Sequence, residues 1–248
     1  MNQADLGEVA LSTTLFVVAL TLFSIGAGIV QEALARKLNR VIFDLPVPKG
    51  QRRHEAIGTG VFWIIFIPSS IGTWWWMLDF TAGWQAEVVT FVVCLVEFQV
   101  FYYMMHRALH TKALYRFHKW HHRTHIMTPI AGLSMSPVEA IGWTVGILTP
   151  AVALSWFGAL GAWGFLAYLL VHFYTNITGH ANADFAPKGP AKALNANSVT
   201  YHALHHARYT GHYGFISRYM DVIGGTQFPD WVRVRDRIMD GQPLTKMG

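Results

Sequence analysis

Residues 118–122 read HKWHH, and the same spacing returns as HALHH at 202–206. Twelve of the 13 histidines fall between His106 and His212. Neutral imidazole is a borderline ligand suited to iron, zinc, copper or nickel. His106 and His110, four residues apart, share one helical face, and His118 and His122 repeat that spacing. His121 and His122 are adjacent and would project about 100° apart on a helix. Such a pair serves one ion poorly but can give one ring to each of two neighbouring ions. His202, His205 and His206 repeat the arrangement, so two metals are the natural reading. The single cysteine, Cys94, lies in an apolar run. It excludes an intrachain disulfide, a CxxC pair and an iron–sulfur cluster from this chain alone. A structural zinc site is satisfied by four ligands, usually including cysteine, and far more histidines are on offer here.

The elements that must position these rings are apolar. Hydrophobic residues make up 52% of the chain and charged ones 13%, the balance of an integral membrane protein. A spanning helix needs about 20 apolar residues, which Val9 to Val30, Ile57 to Leu78 and Val88 to Met105 each approach. The stretch from Ala140 to His172 would be roughly 50 Å long as one helix. Its Gly-rich break, FGALGAWG at 157–164, and Pro150 divide it into two tightly turned helices, one of them short or re-entrant. The expected fold is all-α: a membrane bundle of four or five spans with a cytoplasmic, histidine-rich metal-binding cap. It reads as a single membrane domain over 1–248, with anchor spans in 1–100, the histidine region in 101–226 and a tail in 227–248.

Lys and Arg set the orientation. None precedes Arg36, none lies between Asp79 and Glu87, and an alternating topology puts all 19 on one side. The amino terminus then faces outward and the histidines face the cytoplasm. With no basic residues ahead of its apolar stretch, the first segment reads as an anchor and not as a cleaved signal peptide. The net charge of +5 comes with no basic run interleaved with exposed aromatics, so nucleic acid is not an expected partner.

The ordered set HRALH (106–110), YRFHKWHHRTH followed by TPI (115–130), GHAN (179–182), YHALHH (201–206) and GHYGFISRYMDVIGGT (211–226) resembles the fatty acid hydroxylase and sterol desaturase superfamily. These are integral-membrane, histidine-rich di-iron oxygenases. The resemblance implies two Fe ions with dioxygen as co-substrate, and a metal shell of His106, His110, His118, His121, His122, His180, His202, His205 and His206. His212, where the superfamily often has Asn, would be a further ligand or a hydrogen-bonding partner. Ser136 stands where many sterol desaturases place a histidine before Pro. Glu139 and Asp184 are candidates for orienting ligand rings, and His172 for a ligand or the partner of one. Glu97 is expected to hydrogen-bond Gln99 or a neighbouring helix, or to line the substrate path. His54 and His125 read as structural or interfacial residues.

The activity implied is oxygen-dependent hydroxylation of a membrane lipid, sterol-like or fatty acyl, with desaturation on the same centre as the alternative. A membrane metal-binding or transport protein would place its ligands near the bilayer midplane. A zinc hydrolase would need only about three protein ligands. No flavin, nicotinamide or haem motif is present, so an external electron donor is expected, a ferredoxin or cytochrome with its reductase. Small size and tight connectors suggest a bacterial inner membrane ahead of the endoplasmic reticulum.

Overall fold

The computed structural model describes residues 5–185 and 198–246. Five long helices carry the architecture: α1 (Leu6–Leu38), α2 (Gln51–Met77), α3 (Trp84–Leu109), and, after the short α4 (Tyr115–His118), α5 (Pro137–Trp156) and α6 (Ala162–Thr178). Three shorter helices follow, α7 (Val199–Arg208), α8 (Tyr219–Gly224) and α9 (Trp231–Met239). Among the described residues there are no strands, only two isolated bridges that tie Val41 to Ala183 and Phe43 to Leu244.

Helix ends follow local chemistry. Asp5 opens α1 by accepting from the Gly7 N–H at 3.0 Å, and Asn39 ends it in the left-handed conformation, φ 53°. The Ser136 hydroxyl accepts from the Glu139 N–H, with Pro137 in the first turn of α5. Ser136 is therefore a helix cap, and it fixes the turn on which Glu139 sits. Ser198 caps α7 in the same way, through the Tyr201 N–H.

The long helices pack in a closed ring, α1–α2–α5–α3–α6 and back to α1. Ring closure puts α5 and α6, consecutive in sequence, on opposite sides of α3. The loop between them, residues 157–161, coincides with the glycine-rich break. Close approach of α6 to α3 depends on Gly164, where a Cβ would fall 2.0 Å from the Glu87 carbonyl oxygen. The Glu87 carboxylate also accepts from the Gly164 N–H at 2.6 Å, capping the start of α6.

Aromatic residues fill the ring: Phe62 and Phe66 of α2, Phe98 of α3, and Phe165, Tyr168 and Phe173 of α6 are fully or almost fully buried. Large apolar side chains also cover the outside, among them Leu15, Phe23, Ile64, Val96 and Val145. A helix that is apolar all round belongs in lipid. Four helices, α1, α2, α3 and α5, are long and apolar enough to cross a membrane. The fifth member of the ring, α6, has 17 residues, about 25 Å at the helical rise. The expected four or five spans are thus four long ones and a shorter companion.

α1 ends, α2 begins, α3 ends, α5 begins and α6 ends at the same end of the ring, and a cap covers it. Its small core joins Ile42 and Phe43 of the α1–α2 connector to Ile126, Met127, Tyr201, Leu204, Trp231 and Ile238. Asn182 of the GHAN stretch holds that connector, accepting from the Phe43 N–H and donating to the Phe43 carbonyl, both at 2.8 Å.

Candidate metal centre

The histidines meet under this cap. His106, His110, His118, His122 and His205 form one group, and His121, His180, His202 and His206 form a second. Within each group one nitrogen from every ring lies within 4.8 Å of the others. The structure brings together the nine histidine rings that the resemblance singles out. Each adjacent pair is split between the groups: His121 and His206 go to one, His122 and His205 to the other. The HKWHH segment is not one continuous helix, however. α4 stops at His118, and His121–Arg123 form a separate 3-10 turn.

Outer contacts fix ring orientation. The His106 Nδ1 lies 3.0 Å from the Tyr213 carbonyl, His121 Nδ1 3.2 Å from that of Ser134, His180 Nδ1 2.7 Å from that of Asn176, and His205 Nδ1 2.7 Å from that of Gly211. A carbonyl can only accept, so each Nδ1 carries the proton and each Nε2 presents a lone pair. His118 donates its Nδ1–H to the Glu139 carboxylate at 2.6 Å. Glu139 thus has the ring-orienting role expected of it. Metal-bound imidazoles characteristically have such an anchor on the far nitrogen.

The fit to a cation follows from the inner nitrogens. The Nε2 atoms of His121 and His180, both lone-pair bearing, face each other at 3.3 Å. They cannot hydrogen-bond one another, and two buried lone pairs at that distance call for a positive charge between them. His202 and His180 approach at 2.9 Å, His206 and His202 at 3.2 Å, and in the other group His122 lies 3.1 Å from both His110 and His118. Spacings near 3 Å suit neighbouring nitrogens around one ion bound at about 2.1 Å. The donor set fits two transition-metal ions.

Burial keeps the rings in the ligand form. It pushes His180 down to about 3, with His121 adding to the effect, and His121 down to about 4 against the opposing pull of Glu139. In the unfolded chain these rings would titrate near 6.5. The folded state excludes protons that the unfolded state accepts, so stability from these groups is complete above about 6.5 and falls as pH drops towards 4. Metal-free protein should therefore melt at progressively lower temperature between about pH 6.5 and 4, each such ring adding a slope of up to about 1.4 kcal/mol per pH unit. A thermal-melting series in detergent checks this. A flat profile over that interval would contradict it.

His212 belongs to neither group. Its ring stacks on Tyr201 at 3.5 Å, its Nδ1–H donates to the Tyr201 carbonyl at 2.8 Å, and its Nε2 accepts from the Phe228 N–H at 2.9 Å. Both nitrogens are used, so its role is the hydrogen-bonding one. His172 belongs to neither group. His54 donates its Nε2–H to the Trp120 carbonyl at 2.9 Å, and His125 is exposed. Asp184 accepts from the Thr200 N–H at 2.9 Å and so acts on α7, which bears three of the rings. Glu97 is not part of the cavity beside the histidines. Its Oε2 lacks a partner among the described residues, and Gln99 accepts instead from the Ile216 and Ser217 N–H groups.

Several positioning groups leave little trace in the sequence. The buried Glu55 accepts from the hydroxyls of Thr124 and Thr128 and from Gln51, which also donates to the Ile126 carbonyl. This bracket ties the segment after His122 to α2; its one signal is a Gln and a Glu four residues apart at the start of an apolar span. Asp221 accepts from the N–H groups of Tyr213 and Gly214 and from the Thr226 hydroxyl. It thereby holds the loop whose Tyr213 carbonyl orients His106. Anchoring carbonyls have no side-chain signature at all.

A cavity runs from His118, His121 and His180 into the ring, walled by Phe62, Phe98, Tyr102, Trp143 and Ile147. A second opens beside it, between the end of α6, the start of α7 and residues 214–216, and shares Tyr102, Asn176 and His180.

Among known proteins, the chain is similar to "Protein CER1-like 2" of Arabidopsis thaliana, 31% identical over 154 residues, or 58% of this chain and 25% of that protein. It is also similar to "Very-long-chain aldehyde decarbonylase GL1-6" of Oryza sativa subsp. indica, 26% identical over 181 residues, covering 70% of this chain and 27% of that one. The matches thus span about a quarter of the length of these relatives. No solved structure matches. The family model for fatty acid hydroxylase matches residues 91–226, which hold every ring of both groups, and the chain belongs to that family.

Proposed function

We propose that this chain is an iron- and dioxygen-dependent hydroxylase of a membrane lipid, with one iron in each histidine group. The observation that carries the reading is the pair of facing groups, nine buried or half-buried imidazoles with no thiolate among them, five of which are anchored through Nδ1 so that Nε2 offers a lone pair. Such a set suits a redox metal better than a structural zinc. When bound, the irons supply the redox chemistry with dioxygen that an unactivated C–H bond requires and side chains cannot perform. The chain's own residues hold the rings, shape the cavity and exclude water. Tyr102, Trp143 and Phe98 wall the cavity next to the histidines, so a lipid carbon there would meet the metals in a dry site. Lipid exposure of the ring's outer face favours entry of the substrate from the bilayer. Ligands gathered at one end of the bundle, away from its middle, argue against a transport role.

The basic residues argue for a cytoplasmic histidine end. Every Lys and Arg among the described residues lies on the connectors, helix ends and cap at that end. A cysteine at Gln85 should react with an impermeant reagent applied from outside and one at Lys112 should be protected; labelling of the Lys112 position would overturn the orientation. Electrons would come from a separate ferredoxin or cytochrome and its reductase. Comparative lipid mass spectrometry of cells with and without the active protein tests the reaction. A gain of one oxygen is expected, whereas loss of two hydrogens would identify a desaturase, and no change in any lipid would contradict both.

A further inference from the structure

Two buried imidazoles take no part in either histidine group, and one of them, His212, has both ring nitrogens bonded. The other, His172, lies on α6, is 4% exposed, and its Nδ1 has no hydrogen-bond partner among the described residues. Its surroundings are aromatic: Phe98 stands edge-on at 4.4 Å, Phe215 lies at 5.3 Å, and Phe173 and Tyr168 each lie at 5.8 Å. An imidazole among such rings without a partner lowers stability where phenylalanine would fit. Yet His172 is not sealed in packing. It lines the cavity that reaches His118, His121 and His180.

We propose that His172 selects the lipid, hydrogen-bonding a hydroxyl or carbonyl oxygen that the substrate carries at a distance from the carbon presented to the histidine groups. Neutral imidazole has one N–H and one lone pair, so it complements a hydroxyl fully and a carbonyl through its N–H. The distance follows from the helix. His172 lies six positions before Thr178, where α6 ends, about 9 Å along the axis, and His180 follows two residues later. A group held by His172 is therefore several carbons away from the reacting one. An unsubstituted hydrocarbon leaves the imidazole unsatisfied, and so does a lipid whose only oxygen sits on the reacting carbon. This inference rests on the reading of the cavity as the reaction chamber.

The test is binding of a matched pair, octadecanol and octadecane, to the iron-loaded full-length protein in detergent, for wild type, His172→Phe and His172→Gln. Wild type should bind the alcohol at least about tenfold more tightly, since a site built to hydrogen-bond a hydroxyl rejects the analogue lacking it. In His172→Phe that preference should vanish while octadecane binding and iron content are kept and the ligand-free protein melts at a higher temperature. His172→Gln, which retains a donor and an acceptor, should keep part of the preference. His172→Leu serves the same purpose as Phe should the phenyl variant fail to fold. Equal binding of both probes by wild type, or a preference surviving in the Phe or Leu variant, would overturn the proposal. Loss of iron in His172→Phe would overturn it too, by making His172 part of the metal site. Binding needs no turnover: selective binding without lipid oxidation would sink the oxygenase reading alone, and oxidation without selectivity would sink this one alone.

Discussion

His206→Ala should abolish lipid oxidation and strip iron from the four-histidine group, and His122→Ala should do the same through the five-histidine group. Each removes one half of an adjacent pair, His206 beside His205 and His122 beside His121, whose members belong to different groups. His206 is 1% exposed and His122 is 3% exposed. Loss of an orienting partner alone lowers affinity or activity of metal sites about 10–100-fold, and loss of a ligand should exceed that. The smaller group, left with three rings, should lose its ion more completely. His54→Ala should change neither iron nor turnover, because His54 contacts the Trp120 carbonyl and stacks on that indole at 4.0 Å. Iron analysis of the three purified variants alongside turnover decides the matter. Full iron and full activity in His206→Ala would end the two-group account.

Glu139→Gln should retain much of the iron and lose about 10–100-fold in activity. The carboxylate accepts from His118 Nδ1 at 2.6 Å and from the Trp143 indole N–H at 3.3 Å. A carboxamide oxygen can still accept both, so the ring keeps its orientation. What disappears is the negative charge that makes the imidazole a stronger donor to a cation. Glu139→Ala removes the orientation as well and should fall further in iron content and activity. The gap between the two variants separates charge from geometry. Equal, wild-type behaviour of both would show that His118 needs no partner.

Much of this arrangement was legible before any coordinates. Apolar runs announced the long helices, and the glycines at 158 and 161 announced the break. The HxxHH spacing implied that neighbouring rings would part company, which they do even though His118 and His121 sit on different local elements. Packing order was not legible. Nothing in the sequence says that α5 lies between α2 and α3 or that α6 closes the ring onto α1, because every outer face is apolar and offers no pattern of sides. Backbone anchors were equally hidden, since the carbonyls of Ser134, Asn176, Gly211 and Tyr213 orient four rings irrespective of their side chains.

His212 shows how a motif position can carry two readings. Its place in a histidine-rich stretch suggested a further ligand or a hydrogen-bonding partner, and its two nitrogens make hydrogen bonds. Its backbone is left-handed, φ 58°, a conformation in which Asn and His are enriched among non-glycine residues. That gives a physical reason for Asn at this position in the resembling superfamily, where the need is for a turn. His172, expected to be a ligand or the partner of one, lies in neither group; it lines the cavity, and its Nδ1 has no hydrogen-bond partner among the described residues.

The most direct measurement supplies purified, iron-loaded protein with membrane lipid, a reductase, a small electron carrier and isotopically heavy dioxygen, and follows the lipid by mass spectrometry. The account predicts a lipid bearing one heavy oxygen atom, formed only with iron, carrier and reductase all present. A product with no heavy oxygen, or no product from protein with both histidine groups filled with iron, would contradict it.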